Sequence, residues 1–385
     1  MTTVAPAGIR FHHSSLVIPA GAVHTTPLGY DRGGVPVGAP LPLAASAERV
    51  HRLSGCGEVV VAFEGKLGDT LLALSGVRSV LDWLRLRSVR VAVRAVGPYA
   101  GLIARTGLIT RPQASTPSGW RAVIGDRPGI EAHGSKAPVS LVLDPATPPC
   151  WASDSRAHPD LPARHYLALE RRLGIRLPAV APFAPTLVTG PNHLVEELRS
   201  VGWLGGLTIA AITATSWPER KDYTAQRFIT LTEHVAEARQ TQARLLLIGG
   251  NTGDGLRVTA EVPRRHVQVL RLDGMPADHL ADLFPHCHLI VGNDTGLTHL
   301  AAMARGRDGG SPPVIGLYAR HSHSKWRTGL PHHHAVATDL SDRMHQGDLC
   351  PVRDAIAPDT NVHMDAFPPA ALAQVGLGLL DGVRP

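Results

Sequence analysis

Three short segments of this 385-residue chain bring glycine, hydroxyl and ionisable side chains together at spacings suited to an anion. The first is Gly65-Lys66-Leu67-Gly68-Asp69-Thr70, between an apolar run and a stretch of helical periodicity. Two glycines let the backbone approach a ligand closely, and a helix start leaves N–H groups without intrahelical partners. The spacing is neither that of a Walker loop nor G-x-G-x-x-G. Two readings stay open on spacing alone. One is an anion-approaching turn with Lys66 and Gly68 in contact range; the other is a plain helix start in which Asp69 complements the N-terminal dipole.

The second segment is Ala214-Thr215-Ser216-Trp217-Pro218-Glu219-Arg220-Lys221. Hydroxyls and two cations behind a strand suit a diphosphate, and equally suit a solvated polar loop. The third runs Val291-Gly292-Asn293-Asp294-Thr295-Gly296-Leu297-Thr298-His299-Leu300-Ala301-Ala302, out of a strand and into a helix. Backbone N–H groups at Thr295, Gly296 and Leu297 can face a phosphate, and Asp294 can accept from a sugar hydroxyl. His299 lies one turn into that helix; taken alone it reads as a hydrogen-bonded core histidine.

Several histidines invite a metal reading: His12-His13, His286 with His288, His321 with His323, and His332-His333-His334. None stands with cysteines or carboxylates at zinc spacing, so no metal and no cofactor is expected. The cysteines Cys56, Cys150, Cys287 and Cys350 are far apart, which excludes a disulfide framework or zinc ribbon and suits a reducing cytoplasm. There is no signal peptide, and no apolar run approaches the roughly 18 residues of a membrane span. Charged residues at 18% are too few for a disordered chain, and 44% apolar residues suffice for two cores. The net charge of +6 comes from scattered residues with no Lys/Arg block, so it gives no reason to expect nucleic acid as a partner. Only four lysines occur against abundant Arg, Ala, Gly and Pro, a composition typical of a GC-rich genome, so Lys221 is not a default cation.

These segments need elements to hold them. Val59 to Phe63 reads as a buried parallel strand, and Leu71, Leu72, Ser75, Val77, Leu81 and Leu84 recur at helical spacing behind it. Strands over 89–95, 122–124 and 139–143 and a helix over 99–106 continue the alternation. Pro178, Pro182 and Pro185 then interrupt it as an interdomain linker. A second set follows, with strands at 207–212, 244–248, 267–270, 289–291 and 314–317 and helices at 225–239, 276–284 and 298–304. Strand–helix alternation in two sets predicts an α/β chain of two Rossmann-like, doubly wound domains facing across a cleft. The boundaries drawn are an N-terminal extension over 1–52 with perhaps a hairpin, domains over 53–185 and 186–365, and a C-terminal helix over 366–385.

The motifs resemble those of glycosyltransferase family 9, the bacterial ADP-heptose heptosyltransferases. Gly68-Asp69-Thr70-Leu71-Leu72 is similar to the family's G-D-V-L-L turn, and Asp294 to Ala302 matches its D-T-G-L-x-H-L-A-A run without a gap. Thr215, Ser216 and Lys221 correspond to its diphosphate segment, and Val362 to Pro368 resembles its closing segment. The resemblance implies a GT-B architecture, with the first domain binding the acceptor and the second the nucleotide-sugar donor. It implies Asp69 as catalytic base, and Lys221, Thr215, Ser216, Thr295, Gly296 and Leu297 around the donor diphosphate. It further implies Asp294 at the donor sugar, His299 supporting the phosphate site, Asp254 as the ribose-binding acid and Met275, beside Gly274, at the nucleobase. The chain departs from the family after its last strand, where Tyr318-Ala319-Arg320-His321-Ser322-His323 replaces a G-x-T-x-P-like segment. It also lacks the K-x-W-P of the lysine segment, and residues 1–50 have no counterpart.

The expected activity is inverting, metal-independent transfer of a heptose or related sugar, from an ADP-sugar by preference, to a hydroxylated small molecule or glycan. The composition suits an acceptor in antibiotic or natural-product biosynthesis. The alternatives are a lipopolysaccharide core heptosyltransferase, whose phosphorylated lipid would meet Arg105, Arg111, Arg121, Arg127 and Lys136, and a non-catalytic nucleotide-binding relative.

Overall fold

A computed structural model of the chain describes residues 10–12, 15–18, 51–63, 65–109, 120–125, 139–142, 160–250, 255–346 and 364–382. The first half is built on a four-stranded parallel sheet of β3 (Cys56–Ala62), β4 (Ala92–Val96), β5 (Trp120–Gly125) and β6 (Val139–Val142), in the order β4-β3-β5-β6. β3 is central, which is why Val59, Val60, Val61 and Ala62 are all buried and its sequence does not alternate. Helix α1 (Leu67–Leu86) follows β3 and buries Leu71, Leu72, Ser75, Val77, Leu81 and Leu84, the positions that set its period. α2 (Ala100–Ala104) follows β4.

The helix α3 (Leu161–Leu173) has no counterpart in the sequence reading, and its burial explains why. Arg164, His165 and Glu170 are charged or polar yet buried, so the polar and core faces cannot be told apart by residue type. Glu170 Oε1 accepts from Leu177 N at 2.8 Å. Tyr166 Oη donates to Asp82 Oδ2 at 2.9 Å and accepts from Ala179 N at 3.1 Å. α3 lies along α1, where Ser75 Oγ donates to Pro162 O at 2.6 Å.

The second half carries a larger sheet. Its central strands β8 (Leu207–Ile212), β9 (Ala243–Ile248), β12 (Leu289–Asn293) and β14 (Val314–Tyr318) run parallel, with β11 (Val267–Asp273) and β15 (His333–Thr338) outside them. A short exposed strand β10 (Arg257–Ala260) closes one edge antiparallel to β11. At the other edge stands a hairpin from the start of the chain, β1 (Arg10–His12) and β2 (Ser15–Ile18), with β2 parallel to β15. The hairpin expected in the 1–52 extension is therefore present, and it completes the sheet of the distant half of the chain. β15 had been missed because its paired histidines and short Ala-Val-Ala core look like a loop.

Helices α6 (Ala225–Ala238), α7 (Ala277–Leu283) and α8 (Gly296–Met303) fall within the predicted spans to within two residues, and α10 (Pro369–Leu380) packs on α6. A two-turn helix α4 (His193–Ser200), a single turn α5 (Pro218–Lys221), α9 (Asp339–Gln346) and a parallel pair of short strands, β7 (Leu187–Val188) and β13 (Ala304–Arg305), complete the half. Among the described residues no helix is long and apolar enough to cross a membrane.

Among the described residues the halves meet at the following places. Arg105, at the end of α2, donates from Nη1 to Asp282 Oδ1 at 2.7 Å, and the same carboxylate accepts from Gly190 N in the linker. Leu161 N, at the head of α3, donates to Lys325 O at 3.0 Å. The closest approach is between the first turns of α1 and α8. A Cβ on Gly296 would stand 2.5 Å from Gly68 N, and one on Gly68 would stand 3.2 Å from Gly296 Cα. Only two glycines let these backbones touch. Gly296→Ala is expected to force the halves apart locally and lower stability by about 1–3 kcal/mol, the usual range for overpacking. Gly101→Ala, with open space around it, is expected to leave the denaturation midpoint unchanged or slightly raised, and urea unfolding of both variants checks the pair.

Candidate active site

The site forms at the carboxyl ends of three neighbouring strands, where open parallel sheets bind ligands. β8 leads into Lys221, β12 into Asp294 and β14 into His321. Each segment is shaped by its own sequence. After β8, Thr215 Oγ1 accepts from Trp217 N at 2.9 Å, and Pro218 starts the single turn that ends on Lys221. After β12, the buried Asn293 holds the turn: its Oδ1 accepts from Tyr223 N at 3.0 Å and its Nδ2 donates to Thr213 O at 3.1 Å. Thr298 Oγ1 donates to Asn293 O at 2.7 Å and lies over Gly292, where any Cβ would collide with it. Asp294 to Leu297 then emerge half-buried, and Thr295 caps α8 with extended backbone.

Lys221 Nζ donates to Asp294 Oδ2 at 2.6 Å, and His321 Nδ1 lies 3.0 Å from the same oxygen. Burial alone would raise the Asp294 pKa, but Lys221 and His321 outweigh it and hold the carboxyl well below the usual carboxylate range. An ionised carboxylate accepts and cannot donate, so His321 must present Nδ1–H. The sequence reading gave His321 no role; it set aside a metal reading of His321 with His323 and marked the surrounding segment as a departure from the family. Its spacing to Asp294 carries no signal, since the two come together only through adjacent strands.

His299 is 3% exposed, and burial lowers its pKa to about 4. It is therefore neutral at pH 7 and brings no positive charge to the turn it packs beneath. Its ring lies 6.0 Å from that of His333, also buried, and its Nδ1 has no hydrogen-bond partner in the structure. Thus it is a core histidine, but not the satisfied one that burial leads one to expect.

Across the glycine contact lie the predicted residues of the first half. Lys66 is exposed at the N-cap of α1, and Asp69 is half-buried in its first turn. The structure thus brings the Gly68–Asp69 turn against the Thr295–Gly296 turn, and brings Lys221 to Asp294. Thr215 is half-buried and Ser216 exposed on the same side of the sheet. Met275 is buried beyond β11, after Gly274, whose φ of +69° and close approach to Gly255 O require glycine. Asp254 lies outside the described residues. So do Arg111, Arg127 and Lys136 of the basic face expected for a phosphorylated lipid; Arg105 of that set is committed to Asp282. Among the described residues no group of three His, Cys, Asp or Glu side chains is placed to hold a metal ion.

The buried histidine has a consequence for stability against pH. His299 prefers its neutral form when folded, with a pKa of about 4 against 6.5 when unfolded. Its share of stability is full above pH 6.5 and is lost as pH falls towards 4, by up to about 3 kcal/mol at roughly 1.4 kcal/mol per unit. The melting temperature is expected to begin falling below pH 6.5, and His299→Gln is expected to flatten that limb in a pH series of thermal melts.

Residues 200–353 match the family model described as glycosyltransferase family 9 (heptosyltransferase). The chain is similar in fold to a glycosyl transferase family 9 structure from Veillonella parvula, with a TM-score of 0.55 and 14% identity, covering 85% of this chain and 97% of that one. It also matches E. coli ADP-heptose lps heptosyltransferase II at TM-score 0.47 and 14% identity over 76% and 96% of the two chains. E. coli heptosyltransferase WaaC with ADP matches at TM-score 0.46 and 14% identity over 74% and 94%. No curated protein matches the chain significantly. The Veillonella comparison supports the GT-B fold, and Lys221, Asp294, His299 and His321 all fall within the residues that match the glycosyltransferase family 9 model.

Proposed function

We propose that the protein is an inverting, metal-independent glycosyltransferase of the cytoplasm, moving a heptose or related sugar from an ADP-sugar to an acceptor hydroxyl. The observation that carries this reading is the apposition of two helix starts, one bearing Asp69 and the other bearing Asp294 beside Lys221. A base and an anion site on opposite walls of one cleft is the arrangement that a single displacement needs. Asp69 takes the proton of the acceptor hydroxyl as its oxygen attacks the anomeric carbon. Charge developing on the leaving diphosphate is met by Lys221 and by the N–H groups at Thr295, Gly296 and Leu297, with Thr215 and Ser216 alongside. Met275 and Asp254 serve the nucleoside, and His299 backs the phosphate turn. No cofactor takes part, because lysine, backbone N–H groups and a helix dipole neutralise the diphosphate between them.

For the acceptor we favour a small hydroxylated molecule, as in natural-product biosynthesis, over a phosphorylated lipid. The observation favouring it is the Arg105–Asp282 pair, which withdraws one cation from the face that such a lipid would use.

Asp69→Asn keeps size and still complements the helix start, but it cannot accept a proton. Release of ADP from ADP-heptose in the presence of acceptor is expected to slow in kcat by roughly 10²–10⁴-fold, with ADP affinity and melting temperature little changed. The same assay on the wild type is expected to survive excess EDTA. Retained turnover in the variant removes Asp69 from the mechanism, and loss in EDTA restored by Mg²⁺ removes the metal-free reading. Lys221→Ala is expected to weaken ADP binding by about tenfold or more in calorimetry, the worth of a charge-assisted contact; an unchanged dissociation constant would return Lys221 to Asp294 alone.

A further inference from the structure

The carboxylate of Asp294 is used unevenly. Lys221 Nζ and His321 Nδ1 both converge on Oδ2, at 2.6 and 3.0 Å, and Lys221 also reaches the Asp294 carbonyl at 3.5 Å. Oδ1 accepts from none of the described residues, while the side chain keeps 10% of its exposure at the mouth of the site. A buried-edge carboxylate oxygen of this kind needs a donor, and the partner it lacks within the protein must come from water or a ligand hydroxyl.

Lys221 has two claims upon it. With the site empty it neutralises Asp294, yet the transferase reading requires the same ammonium at the donor diphosphate. Once phosphate oxygens draw it away, Asp294 would lose its shortest contact. His321 faces no such competition. Its Nδ1 is directed at Asp294, its carbonyl accepts from Ser341 Oγ at 2.5 Å, and its ring lies 6.2 Å from that of Trp326. Ser341, on α9, also receives His323 N at 3.1 Å, so the backbone just after His321 is tied to a helix at two points. A ring fixed at its backbone and its flank can hold a carboxylate in one orientation without help.

We propose that His321 is a positioning residue, which holds Asp294 through Oδ2 so that Oδ1 accepts a hydroxyl of the donor sugar while Lys221 turns to the diphosphate. The inference rests on the transferase reading and deepens it. It assigns to the segment after β14 a part in recognising the sugar, whereas the nucleotide is held elsewhere. A substrate hydroxyl bound to an oriented, ionised acceptor discriminates strongly against sugars lacking that hydroxyl, because the carboxylate oxygen would then be left without a donor.

The experiment measures ADP and ADP-heptose binding by calorimetry on the wild type, His321→Ala and His321→Asn. The Asn side-chain amide can place an N–H near the position of Nδ1. His321→Ala is expected to weaken ADP-heptose by about tenfold while ADP changes by less than about twofold, and His321→Asn is expected to recover most of the loss. A purely structural role would weaken both ligands together and would not be rescued by Asn. Equal weakening of both, no change in either, or an Asn variant as poor as Ala each overturns the proposal. A wild type that binds ADP with no gain from the sugar overturns it and leaves the nucleotide reading standing. A wild type that binds neither ligand overturns the transferase reading and this inference with it.

Discussion

The active cleft depends on two glycines that touch. Gly68 and Gly296 stand at the starts of α1 and α8, so close that a side chain at 296 would collide with the Gly68 backbone and one at 68 would be tight against Gly296. Each helix start carries a partial positive charge, so bringing two together is electrostatically unfavourable unless negative charge lies nearby. Asp69 sits in the first turn of one, and Asp294 stands just before the other. The carboxylates therefore have a structural reason to be where the chemistry wants them. The same contact sets the gap between Asp69 on one half and the Thr295–Gly296 turn on the other, a gap that loops alone would leave loose.

Within the second domain the logic is that of adjacent strands. Lys221, Asp294 and His321 are far apart in sequence and meet because β8, β12 and β14 are neighbours that end level with one another. Asn293 and Thr298, both buried, spend their polar atoms on backbone groups around the turn. That bracing holds the turn in shape, and Lys221 and His321 keep Asp294 ionised in a place where burial would otherwise protonate it.

Much of this was legible in the residues. Continuous apolar runs such as Val59–Phe63 marked the central strands, and glycine-bearing turns behind β3 and β12 marked the places where a ligand approaches. What stayed hidden has two physical causes. α3 was invisible because its buried face carries Arg164, His165 and Glu170, so burial and polarity were decoupled. His321 was invisible because hydrogen bonds between strand ends leave no trace in local spacing. His299 shows a third limit, since a sequence reveals that a histidine is buried more readily than whether both its nitrogens are paired.

The hairpin at the start of the chain bears on how the molecule is made. Ser15 to Ile18 pair with Ala335 to Thr338, strands separated by nearly the entire polypeptide. Synthesis proceeds from the first residue, so this edge strand emerges long before its partner exists. The sheet of the second half is closed by this segment only after Ala335 to Thr338 have been made. Pairing over that separation carries a large loop-closure cost and makes a late step in folding, after both cores have formed. Because β2 lies in the second sheet and β3 in the first, the chain between them gives the two halves a second covalent tie besides the proline-rich linker. Opening of the cleft is then a motion about two tethers, a narrower range of paths than a single hinge allows.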